Sequence, residues 1–244
     1  MEVKKVAIVT CMAAMYAALS FLPGFPVIGG GGAQIGIVSS IVPLYGFLLG
    51  PWLGTFAALF GVIISRTLKA AGPFVWLNSP AIPLSPFIAG ALSRPRLGSV
   101  KGWVVSAVTL TILLAAWYVT PVGREGPYFP VLQWVGLAII LIFRSRLSDF
   151  FYSKEKKRLT LSVALCSYVA TVTTHMYGNL AFLVAVELVL LKVSNLPSFL
   201  TYIIPVAIIE RLILAAISTI IGVPTILALE TQIPRLTKRR ASGS

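Results

Sequence analysis

Five ionisable side chains stand inside otherwise apolar stretches of this sequence: Arg66, His175, Glu187, Glu210 and Arg211. In hydrocarbon each costs about 2.5–3.5 kcal/mol even on a lenient insertion scale, so each calls for a partner or a task. Bond-making chemistry is not the expected task. The sequence has no H-E-x-x-H, no G-x-S-x-G, no phosphate loop and no carboxylates paired at catalytic spacing. Its single histidine, His175, has no serine nucleophile in a recognisable elbow. Cys11 and Cys166 both lie in apolar runs, without disulfide or metal-ligand spacing. Neither an enzyme nor a cofactor is therefore expected. What the residue types suit is binding, through guanidinium, imidazole and amide groups. A basic Arg66 and no unpaired deep acid favour an anionic or neutral solute over a metal ion, which would want two or more His or acid ligands.

The elements that must position these groups are membrane helices. Of 244 residues, 57% are apolar and 11% charged, with a mean hydropathy of +0.93, against about a quarter charged in soluble domains. At about 20 residues per span, six to eight spans fit with short connections and no sizeable soluble domain. Apolar runs predict spans at Val6 to Leu22, Ile35 to Leu49, Pro51 to Ala71, Pro80 to Ser93, Trp103 to Val119, Val131 to Phe143, Leu159 to Leu191 and Phe199 to about Leu229. Pro80 to Ser93 is short and Pro-rich, so it reads as a tilted span or a re-entrant segment. The first run follows Lys4 and Lys5 as a signal peptide would, but no convincing small-residue cleavage site follows, and it is read as a retained helix. The expected fold is an all-α polytopic bundle of about eight spans in one domain, residues 1–230, with a basic, disordered cytoplasmic tail at 231–244.

The net charge of +13, from 20 Lys and Arg against 7 Asp and Glu, would suggest nucleic acid in a soluble protein. With eight spans and both termini inside, 15 of the 20 basic residues fall on the cytoplasmic side. The excess is then topological, and no nucleic-acid partner is expected. Seven spans would instead put Arg94, Arg96 and Lys101 outside. The basic stretches Lys154 to Arg158 and Lys238 to Arg240 suit anionic lipid as well.

Helical rise gives depths. Arg66, fifteen residues beyond Pro51, and His175, sixteen beyond Leu159, both lie about 22–24 Å from the inner face, with Asn179 one turn further out. Three polar side chains thus converge on the outer half. Glu210 and Arg211, a pair of buried charges adjacent in sequence, lie about 17 Å in from Phe199. Being adjacent they point about 100° apart, so each is expected to look to another helix, Glu210 to Arg66. The run from Leu159 to Leu191 would be about 48 Å as one helix against about 30 Å of hydrocarbon, and a bend is expected at Tyr177-Gly178-Asn179. Gln34 beside the Gly29 to Gly32 stretch, and Trp76 and Asn78, are placed in outer loops that suit a lid.

Two stretches carry a family resemblance. Ile41 to Gly54, continuing to Gly61, resembles the second and third helices of the substrate-binding S components of energy-coupling-factor vitamin transporters. The block P-x-x-x-G-x-x-x-G-P-x-x-G is matched by Pro43, Gly46 shifted by one, Gly50, Pro51 and Gly54, with Gly61 a heptad on. In Ala13-Ala-Met-Tyr-Ala-Ala18, two overlapping A-x-x-x-A pairs, Ala13 with Ala17 and Ala14 with Ala18, make a flat face for close helix approach. The span from Pro205 to Pro224 also looks like the last helix of these proteins. The resemblance covers 6–70 and 203–229 best. Such components have six helices, so Trp103 to Phe143 would be an added pair.

The resemblance implies a substrate-binding integral component of an importer in a prokaryotic plasma membrane. It would capture a small, vitamin-like solute from outside. Partner ATPases and a transmembrane coupling subunit would supply energy, the latter docking on Ala13, Ala14, Ala17 and Ala18. The solute would meet Gln34, Arg66, Asn78, His175 and Asn179, with Trp76 stacking on it. Two alternatives stay open: a secondary carrier in which Glu210 takes up a proton, and a structural membrane protein whose polar residues only hold helices together.

Overall fold

The computed structural model describes residues 2–26, 34–188, 195–230 and 232. Helix α1 (Glu2–Leu19) leads into a short antiparallel hairpin, β1 (Gly24–Pro26) with β2 (Gln34–Gly36), and a single 3-10 turn, Ile37–Ser40. Then come α2 (Val42–Leu49), α3 (Pro51–Leu68), α4 (Pro73–Leu77) and α5 (Ala81–Leu92). A small hairpin, β3 (Arg96–Leu97) with β4 (Val100–Lys101), precedes α6 (Gly102–Val119), α7 (Pro121–Glu125), α8 (Val131–Phe143) and α9 (Arg146–Tyr152). Two long helices, α10 (Lys156–Glu187) and α11 (Leu196–Ala228), close the chain.

This is an all-α membrane protein. Among the described residues five helical segments are long and apolar enough to cross a bilayer: α3, the stretch Pro73–Leu92, α6, α10 and α11. A sixth arises if α8 and α9, bent by 75° at their junction, count as one. Val6–Leu19 and Ile37–Leu49 are shorter apolar helices. Large apolar side chains also face outward: Trp52, Phe56, Phe60 and Ile64 form an exposed stripe along α3. In water such a stripe would be a liability; against lipid it is ordinary.

Glycines hold the first half together. Gly50, with φ +89°, takes the backbone through the break between α2 and α3, and Pro51 starts α3 where a missing N–H costs nothing. At Gly46 a Cβ would lie 2.2 Å from the Pro86 carbonyl oxygen, and at Gly90 2.5 Å from the Pro51 nitrogen. Helices α2, α3 and α5 therefore cross backbone to backbone. Helix α1 meets α3 the same way, with Gly61 against the Ala13 carbonyl and Tyr16.

Three expectations change. The segment before Pro80 is not a loop: α4 and α5 make one apolar stretch from Pro73, which lengthens the short span and carries Trp76 and Asn78 into it. Helix α10 runs unbroken through Tyr177-Gly178-Asn179. Gly178 is used for contact instead of bending, since a Cβ there would sit 3.3 Å from Asn78 Oδ1. The four alanines of α1 do not form one free face either. Ala13 and Ala17 are buried, whereas Ala14 and Ala18 are exposed. The Gly29 to Gly32 stretch, the Gln34 side chain and, but for Gln232, the tail 231–244 lie outside the described residues.

Candidate functional site

A cavity of about 120 Å³ lies where the C-terminal ends of α1 and α3 meet the α4–α5 junction, α10 and the middle of α11. Its wall is polar and cationic. Arg66 reaches it from α3, Lys69 from the end of that helix, Arg211 from α11 and His175 from α10. Asn78, Ser20, Ser85, Thr171 and Thr174 contribute amide and hydroxyl groups.

Each cation is held differently. Lys69 Nζ donates to the Ser20 carbonyl oxygen at the end of α1 and stands 5.0 Å from the centre of the Phe21 ring. An ammonium there also complements the negative end of the helix dipole. Arg211 is 4% exposed, and its Nη2 donates to Glu210 Oε2 at 3.1 Å. The two neighbours thus pair with each other after all. Their Cα–Cβ bonds diverge, but both side chains are long enough to curl back together. Glu210 does not reach Arg66, and among the described residues no ion pair to Arg66 is found. Arg66 Nε and Arg211 Nε are both buried without a hydrogen-bond partner. Buried donors without acceptors are uncommon and costly.

His175 is oriented by a residue that the sequence reading overlooked. Gln133 of α8, 1% exposed, places its Nε2 3.3 Å from the Val172 carbonyl oxygen and 3.2 Å from His175 Nδ1. The carbonyl can only accept, so the atom facing it is the amide nitrogen, and Nδ1 accepts its second hydrogen. The ring proton then sits on Nε2, making His175 a donor there. The one available signal was an amide within the apolar run Val131 to Phe143.

Arg66, Asn78 and His175 therefore come together on one cavity, and Arg211 joins them from the charge pair. Asn179 does not line it, although it is buried and its Nδ2 has no partner. Trp76, 41% exposed, lies outside it too. Among the described residues no three His, Cys, Asp or Glu side chains gather as a metal site would require. Clustered donors around a small cavity are the chemistry that a solute oxygen or carboxylate would need.

Fold and site together define a helical membrane protein with a cation-lined cavity. In sequence the chain is similar to an uncharacterized protein of the archaeon Methanocaldococcus jannaschii, 32% identical over 160 residues, which are 65% of this chain and 52% of that one. The chain thus spans about half the length of the curated relative it matches. No family model matches it, and no solved structure does.

Proposed function

We propose that the chain is the solute-binding membrane component of an energy-coupling-factor-like importer, resident in the plasma membrane and catalysing no reaction itself. The observation that carries this reading is the cavity, whose wall gathers Arg66, Lys69 and Arg211 against the single paired acid Glu210. In the proposed topology all eight apolar helical segments span the membrane and both termini are cytoplasmic. The ends of α1 and α3 then face outward, so the cavity, lined by Leu22, Gly36 and Lys69 on that side, is reached from outside. Arg66, Arg211, His175 and Asn78 hold the solute. Glu210 is engaged by Arg211 at 3.1 Å, which weighs against its serving as a free proton carrier.

Energy comes from partner ATPases through a transmembrane coupling subunit. Because Ala13 and Ala17 are already buried, docking falls to Ala14 and Ala18 on the exposed side of α1. Replacing Ala14 by tryptophan is expected to reduce co-purification of the coupling and ATPase subunits at least tenfold without moving the unfolding midpoint. Ala13→Trp, at a position 3% exposed, should lower the midpoint. Equal recovery of partners with wild type and Ala14→Trp, or no ATPase partner with either, would remove the docking assignment.

A further inference from the structure

Resting on the reading of this cavity as a solute site, we infer that its ligand is a compact dianion whose charge is carried on oxygen atoms. Charge, unmet hydrogen bonds and size all bear on this. Arg66, Lys69 and Arg211 surround one space, and Glu210 offsets a single charge among them, leaving two positive charges in excess. The excess falls on the half-buried Arg66 and the exposed Lys69, whose like charges repel across the cavity until an anion sits between them. Arg66 Nε and Arg211 Nε are buried donors awaiting acceptors. His175, with its proton on Nε2, adds a neutral donor to the same wall. Oxygen acceptors suit such a wall, since guanidinium groups favour oxyanions and carboxylates in particular.

Size then separates small ions from ring-bearing solutes. The cavity's volume of about 120 Å³ compares with about 300–1,000 Å³ for pockets that enclose drug-sized ligands. That comparison favours an ion of a few heavy atoms over a fused-ring vitamin. Lys69, exposed at the rim, supplies the first attraction for an entering anion, and the buried Arg211 meets it at the inner end.

The test is calorimetric titration of the purified full chain in lipid nanodiscs with inorganic phosphate, sulfate, succinate, acetate and riboflavin. One of the dianions is expected to saturate at one per chain and to bind at least tenfold tighter than acetate, with riboflavin not binding. A preference for phosphate or sulfate would mark a tetrahedral oxyanion, and one for succinate a dicarboxylate. Lys69→Gln, at an exposed position, should weaken binding at least tenfold, and Arg66→Lys should restore only part of what Arg66→Gln loses, the charge without the planar fork. Tighter binding of acetate or riboflavin, no dianion binding, or indifference to both the Lys69 and Arg66 changes overturns the inference. If ATPase subunits still co-purify in that case, the importer reading survives; dianion binding with no ATPase partner has the opposite meaning.

Discussion

Replacing Arg66 by glutamine is expected to weaken solute binding by roughly 10- to 150-fold, the range for losing one charged hydrogen-bonding group, while the empty protein becomes no less stable. The two effects have opposite signs for one reason. Arg66 has a buried Nε without a partner and lines a cavity already holding Lys69 and Arg211. Without solute its charge is repelled and incompletely solvated, so a neutral amide relieves cost. With solute the same charge is compensated. Residues kept for binding at the expense of stability behave this way. Arg211 should behave differently. It neutralises Glu210, so Arg211→Gln alone strands a carboxylate and lowers the unfolding midpoint, and Glu210→Gln in the same chain restores it. Thermal unfolding and equilibrium binding on these variants check both statements. If the polar residues were only packing glue, Arg66→Gln would destabilise the empty protein as Arg211→Gln does.

The second large effect is structural. Gly46→Val should abolish folded protein in detergent extracts. The new Cβ would fall 2.2 Å from the Pro86 carbonyl oxygen and 2.7 Å from the Gly90 nitrogen. Both are backbone atoms, which cannot turn away as a side chain can, so α2 and α5 must separate. Overpacking typically costs 1–3 kcal/mol and more where backbone is displaced; here the α5 wall of the cavity, including Ser85, moves as well. Gly72→Ala is the matched control, because nothing lies within 4 Å of a Cβ there. It should leave the elution profile and midpoint unchanged. A folded Gly46→Val protein with wild-type stability would mean that the α2–α5 crossing is looser than the described one.

Counting residues along helices was enough to bring Arg66 and His175 to one depth, because both lie on regular helices whose inner ends are marked by Pro51 and by the basic start of α10. The Gly50-Pro51 break was legible for a similarly local reason. What escaped was what depends on the neighbour. Gly178 reads as a helix breaker by propensity, yet it accommodates Asn78 and leaves α10 unbroken. Ala13 and Ala14 look alike in the sequence, and only the packing of α3 separates a buried one from an exposed one. Trp76 and Asn78 share one short segment, but only Asn78 reaches the cavity. Glu210 and Arg211 are legible as two buried charges, but not as each other's partner, because the angle between neighbouring Cβ atoms ignores how far two long side chains can bend. Gln133 gave almost no signal, since its role is set by Val172 and His175 on another helix.

The central claim is that this cavity holds a solute, and native mass spectrometry of the chain released from gently purified membranes tests it most directly. The wild-type chain is predicted to carry one small molecule per polypeptide, and Arg66→Gln, folded to the same extent, to carry little or none. Identical spectra for the two proteins, both empty or both loaded, would contradict it.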